Sequence, residues 1–127
     1  MGRVTGDEFM KSHKDLLVWQ KSVDLVVRIY SATHGWPKEE MYGLTAQIRR
    51  AAVSILSNIA EGAGRAGQKE FSRFLSIAMG SLAEVETQIV IAEKLGFLTD
   101  AADLNKGLQE IRRMLVGLNN SLESSRD

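Results

Sequence analysis

The residues whose types and spacing come nearest to a catalytic set are Ser54, Asn58 and Glu61 in one stretch and Ser81, Glu84 and Glu86 in another. They supply hydroxyls, an amide and carboxylates at two- to four-residue intervals. On a helix, residues three and four apart are surface neighbours. Paired carboxylates act as general acid and base when a defined pocket shifts their pKa values apart. The first stretch, SILSNIAEGAGR (residues 54–65), also ends in glycines, which raises phosphate binding as a second chemistry.

Most of these chemistries fail on residue type. The chain has no cysteine, hence no thiolate nucleophile and no cysteine-based zinc site. His13 stands in the N-terminal region and His34 in a turn, so neither has a place beside the glutamates. Bundle di-iron sites need two Glu-x-x-His motifs, and the chain contains no Glu-x-x-His. GAGR follows a helical pattern rather than a strand and lacks Gly-Lys-Ser/Thr, so it fits neither a P-loop nor a dinucleotide loop. No metal, cofactor or catalytic residue is expected.

The remaining reading is structural. Ser54, Asn58, Glu61, Ser81 and Glu84 form a polar layer that satisfies its own hydrogen bonds and fixes assembly. Gly62 lets two helices approach closely, and Gly64 or Gly67 ends the helix in a left-handed conformation. Counting equally from the turn brings residues 54–58 towards residues 74–78. Ser81 and Glu84 then lie more than a turn further along, so the count does not join Asn58 to Glu84.

Basic residues carry the other candidate chemistry. Lys14, Lys21 and Arg28 recur every seven residues, and so do Lys106 and Arg113. Arg65, Lys69 and Arg73 cluster around a turn, while Arg49 and Arg50 are adjacent. Sixteen Lys and Arg balance sixteen Asp and Glu, which excludes a bulk polyanion binder but leaves room for a local basic face. The interspersed acids Asp15, Asp24 and Glu110 equally suit a solvated face with no ligand. Repetition of one basic cluster in an oligomer would concentrate its field. Phosphate contacts made that way would be blind to sequence and weakened by salt.

Four amphipathic segments must position these residues. Leu16, Trp19, Val23, Val26 and Tyr30 give the first seam by alternating steps of three and four. Gly35 and Pro37 break it, Gly35 as the residue after the helix and Pro37 as the start of the next element, with Glu39 and Glu40 in a first turn. Leu44, Ile48, Ala51 and Ile55 give the second seam, which continues into Asn58 and Gly62. Phe71, Leu75, Ala78, Leu82, Val85, Ile89 and Ala92 give the third, stopped at Gly96 with Phe97 or Leu98 folding back. Thr99 or Asp100 caps the fourth, whose seam is Leu104, Leu108, Ile111, Leu115, Leu118 and Leu122.

Short connections make consecutive helices antiparallel, so the expected fold is all-α, an up-down-up-down four-helix bundle over residues 15–123. A flexible N-terminal arm, residues 1–14, precedes it, and a frayed tail, residues 124–127, follows. Additional apolar positions, Val18, Leu25 and Ile29 in the first helix and Phe74, Ile77, Val90 and Ile91 in the third, suggest a second interface. The N-terminus has neither a signal-peptide nor a myristoylation pattern, and no apolar run reads as long enough to span a bilayer. A soluble cytoplasmic protein without a membrane partner is expected.

VWQKSVDLVVRIY, YGLTAQIRRAAVSILSNIAEGAGR, FSRFLSIAMGSLAEVETQI and the LGFL turn together resemble the bacterial four-helix bundle family also called the 23S rRNA intervening-sequence proteins. The resemblance spans about residues 15–122, and SNIAEG and GSLAEVE are its most specific parts. It implies an up-down-up-down bundle assembled into a ring, a homopentamer, with no established enzyme activity. Related bundles are accessory proteins of diversity-generating retroelements, which implies RNA or DNA and a reverse transcriptase or other RNP protein as partners. Three functions stand in order: a nucleic-acid-binding oligomer, a protein-interaction scaffold, and an enzyme built on Asn58, Glu61 and Glu84.

Overall fold

Pro37, the chain's one proline, falls between the first two helices, so every helix has an uninterrupted supply of backbone donors. The computed structural model describes residues 12–65 and 67–125. There the chain is all-helical, with no strand among the described residues. The helices are α1 (Leu17–Thr33), α2 (Leu44–Ala63), α3 (Gln68–Lys94) and α4 (Ala102–Ser125). Short 3-10 turns at His13–Asp15 and Lys38–Glu40 precede α1 and α2. Residues 1–11 of the expected arm and 126–127 of the expected tail lie outside the described residues. Within those expected segments, residues 13–14 belong to a 3-10 turn, and α4 continues through Ser125.

Side chains and glycines set the helix ends. Glu40 Oε1 accepts the Leu44 amide at 3.1 Å, and Asp100 Oδ1 accepts the Ala102 amide at 3.1 Å. At the end of α3, Gly96 has φ +80° and donates to the Glu93 carbonyl at 3.1 Å, while Phe97 donates to the Ala92 carbonyl at 2.9 Å. This is the paired closure of a Schellman motif, and it folds Phe97 back towards Trp36, ring centroids 5.8 Å apart. The other helix stops differ from expectation. Gly64 ends α2 with right-handed φ −84°, whereas the positive φ, +96°, belongs to Gly67 at the start of α3. Gly35 is not among the positive-φ glycines.

The core is built from Ile48, Ile55 and Ile59 of α2, Leu75, Leu82, Val85 and Ile89 of α3, and Leu108, Ile111 and Leu115 of α4. Three of the four expected seams therefore face inward. The fourth needs correction. In α1 the buried residues are Val18, Ser22, Leu25, Ile29 and Thr33, while Leu16, Trp19, Val23 and Val26 are half-buried and Tyr30 is exposed. The cause is that two hydroxyls occupy core positions. Ser22 Oγ donates to the Val18 carbonyl at 2.7 Å and Thr33 Oγ1 to the Ile29 carbonyl at 2.8 Å, so each enters the core already paired. Val18, Leu25 and Ile29 are core residues rather than a second interface.

α2 and α3 form the most extensive helix pair, and α1 packs against α2 and α4, and α3 against α4. Gly62 explains the tightness of the first pair. A Cβ there would lie 2.8 Å from Phe74 Cβ and 3.3 Å from the Phe71 carbonyl oxygen. The reading that no segment is apolar and long enough to span a bilayer also needs correction. α3 meets that length and composition among the described residues. Its apolar residues nevertheless supply the core, with Leu75, Ala78, Leu82, Val85 and Ile89 fully buried.

Candidate nucleic-acid interface

The polar stretch divides into a joined part and a scattered part. Ser54 Oγ and Ser81 Oγ are 2.8 Å apart across α2 and α3, and Asn58 Nδ2 donates to the Ser54 carbonyl at 2.8 Å and to Ser54 Oγ at 3.0 Å. Equal counting from the turn thus misplaced the register, because it set Ser81 more than a turn away from Ser54. Glu61 and Glu84 stand apart from this network. Glu61 is 54% exposed and pairs with Arg65 at 3.1 Å, while exposed Glu84 accepts from Gln88 Nε2 at 3.4 Å. Glu86 faces α4, where it accepts from Arg112 Nη2 and from Gln109 Nε2. The glutamates are dispersed over different contacts, which is not the convergence that acid–base catalysis requires.

The basic residues are distributed with more order. Arg49 is a structural residue: its Nε donates to Thr33 Oγ1 at 2.9 Å, its Nη2 to the Tyr30 carbonyl at 3.4 Å, and its guanidinium lies 4.4 Å from the Tyr30 ring centroid. Arg50 beside it is exposed. At the α2–α3 turn, Arg65 and Arg73 both lie over Phe74, at 5.2 and 5.4 Å, and each also pairs with a glutamate of its own helix end. Lys69 is exposed nearby in sequence. Lys14 is exposed in the turn before α1, where its carbonyl accepts from Gln20 Nε2 at 2.8 Å.

The stripes of α1 and α4 meet. Arg28, Asp103, Lys106, Gly107, Glu110 and Arg113 line one groove of about 370 Å³ between these helices. A smaller hollow of about 30 Å³ shares Arg28, Gly107 and Glu110 with it and adds Lys21 and Asp24. Lys21 Nζ pairs with Glu110 Oε1 at 3.6 Å, and Arg28 Nη1 donates to the Asp103 carbonyl at 3.4 Å. Lys106 and Arg113 have no ion-pair partner among the described residues. A groove with guanidinium forks on both walls suits phosphate oxygens, which Arg can bind through two parallel N–H bonds.

Sequence reasoning found the stripes Lys21/Arg28 and Lys106/Arg113 but did not join them. It missed Asp103 and Gly107 in this role. The seven-residue recurrence on two different helices was the available signal.

A family model described as 23S rRNA-intervening sequence protein matches residues 14–117 of the chain. No curated protein sequence matches it.

Proposed function

The chain belongs to the 23S rRNA-intervening sequence protein family, and from that premise we infer that it is a non-enzymatic, homo-oligomeric bundle that binds the phosphate backbone of RNA or DNA through basic residues. The observation that carries the reading is the convergence of Arg28, Lys106 and Arg113 on the α1–α4 groove. Contacts from such a groove position a nucleic acid without reading its sequence. A module of this kind serves a ribonucleoprotein in the cytoplasm, with a reverse transcriptase or another RNP protein as its protein partner.

The architecture proposed is an up-down-up-down antiparallel bundle that closes into a homopentameric ring. Antiparallel packing is supported by contacts running in opposite order, with Gly62 near Phe71 and Phe74 while Ser54 meets Ser81. Association is supported by apolar side chains left on the surface, among them Tyr42 (90% exposed), Val27 (63%) and Leu95 (56%). A ring also repeats each groove around its axis, so a chain of zero net charge presents a strong local field.

A second reading, a protein-interaction scaffold, is favoured by the pairing of Lys21, Arg65 and Arg73 with neighbouring glutamates. Fluorescence anisotropy with labelled structured RNA and DNA, titrated with salt, separates the two. Binding at low salt that falls steeply as salt rises supports nucleic-acid binding. An absence of binding at low salt, or binding indifferent to salt, sinks it. Light scattering tests the assembly, and a monomer at micromolar concentration refutes the ring.

A further inference from the structure

We propose that the α1–α4 groove seats one phosphate group of the polynucleotide backbone, and that Gly107 is the positioning residue that holds Arg28 ready for it. The inference rests on the nucleic-acid reading above and deepens it by naming the ligand group and the residue that shapes its seat.

Arg28 reaches across from α1 and lies over the backbone of α4. A Cβ built on Gly107 would lie 3.2 Å from Arg28 Nη1 and 3.9 Å from its Cζ. A methyl group there would push the guanidinium by a few tenths of an ångström from its present place, where Nη1 donates to the Asp103 carbonyl at 3.4 Å. A guanidinium has five N–H donors in a fixed fork, so anchoring one leaves others for a ligand. Of the two carboxylates lining the groove, Glu110 is engaged by Lys21 at 3.6 Å and Asp103 is in no ion pair among the described residues. Lys106 and Arg113 line the same groove from α4. Three cations, Arg28, Lys106 and Arg113, outnumber the two carboxylates, Asp103 and Glu110, around a groove of about 370 Å³, and the anchored fork gives that positive excess a fixed direction towards phosphate oxygens, which accept from several directions.

Glycine is also a poor choice for a helix interior, since alanine is the better helix former. The structure provides matched controls for that effect. Gly117 on the same helix has no atom within 4 Å of its built Cβ, and neither has Gly80 on α3. Helix propensity alone therefore predicts the same result for all three Gly→Ala substitutions, and a positioning role predicts a difference.

The experiment uses the full chain and a fluorescein-labelled single-stranded RNA, with G107A, G117A and R113Q compared by anisotropy and by thermal unfolding. G107A and G117A are both expected to unfold at or above the wild-type midpoint. Only G107A should weaken RNA binding, by about tenfold, the worth of one charge-assisted hydrogen bond. R113Q should lower the slope of log affinity against log salt by about one. Inorganic phosphate at constant ionic strength should displace RNA from the wild type better than chloride does, and should lose that advantage in G107A. If wild type binds RNA while G107A and G117A bind it equally well, the phosphate seat is overturned and the broader reading stands. If phosphate competes no better than chloride, a seat for a single phosphate is likewise overturned. If wild type fails to bind RNA at low salt, the broader reading falls and this inference with it.

Discussion

Ser54 and Ser81 face one another across α2 and α3 with their hydroxyl oxygens 2.8 Å apart, and Asn58 Nδ2 donates to that same Ser54 oxygen at 3.0 Å. Ser54 is the hub of this network, touching both of the others, so removing it strands both. Ser54→Ala leaves both the Ser81 hydroxyl and an Asn58 N–H short of a partner, and should cost about 1–2 kcal/mol. Ser81→Ala removes a single contact and should cost about 1 kcal/mol. The double variant should cost less than the sum of the two by roughly 0.5–1.5 kcal/mol. Urea unfolding at one protein concentration measures all three, and strict additivity would show that the two hydroxyls do not depend on each other.

Gly62→Ala should destabilise the protein, although alanine is the better helix former. The propensity gain is at most about 1 kcal/mol. Against it stand contacts of 2.8 Å to Phe74 Cβ, which is fixed to the backbone, and 3.3 Å to the Phe71 carbonyl. Overpacking of this kind costs about 1–3 kcal/mol, because the two helices must separate or twist. Thermal unfolding of Gly62→Ala beside Gly80→Ala isolates the contact, since Gly80 has open space at its built Cβ. Equal midpoints for the two variants would contradict the close approach.

Ser22→Ala should change stability by about 0.5 kcal/mol or less, even though Ser22 is fully buried. Its hydroxyl donates to a carbonyl of its own helix, so truncation leaves no polar group stranded. Denaturant unfolding checks this, and a loss above 2 kcal/mol would mean that the hydroxyl does more than enter the core paired.

The same residue explains what could be read from the sequence. The seams of α2, α3 and α4 were legible because leucine, isoleucine, valine and alanine fill the seam positions, with the buried polar residues Thr45, Ser72, Ser81 and Gln88 beside them. The seam of α1 was not, because Ser22 and Thr33 sit inward while Trp19, Val23 and Tyr30 lie towards the surface. Shifting the buried positions by one residue turns a helix face by about 100°. That turn decides whether Lys21 and Arg28 look into α4 or away from it. The basic stripes were thus visible in the sequence, but their common groove was not. The polar layer was legible in its serines and Asn58. It was overextended to Glu61 and Glu84, whose spacing matched while their exposure could not be read.

Arg49 and Arg50 are adjacent in sequence, and substitution should separate their roles. Arg49 closes the end of α1: it bonds Thr33 Oγ1 at 2.9 Å and the Tyr30 carbonyl at 3.4 Å, and lies 4.4 Å from the Tyr30 ring centroid. A cation beside the last carbonyls of a helix also opposes their partial negative charge. Arg49→Gln should therefore cost about 1–2 kcal/mol of stability through the lost hydrogen bonds and ring contact. Thr33→Ala should cost a similar amount, and the pair should be non-additive because they share one bond. Arg50 is exposed, so Arg50→Gln should stay within about 0.5 kcal/mol of wild type. Nucleic-acid affinity should respond in the opposite sense. Arg49→Gln, with Arg49 already committed to α1, should leave the salt slope of RNA binding unchanged, whereas Arg50→Gln should lower it by about one. Chemical unfolding and salt-titrated anisotropy on the same four variants test this together. A lowered salt slope for Arg49→Gln with wild-type stability would overturn the structural assignment of Arg49.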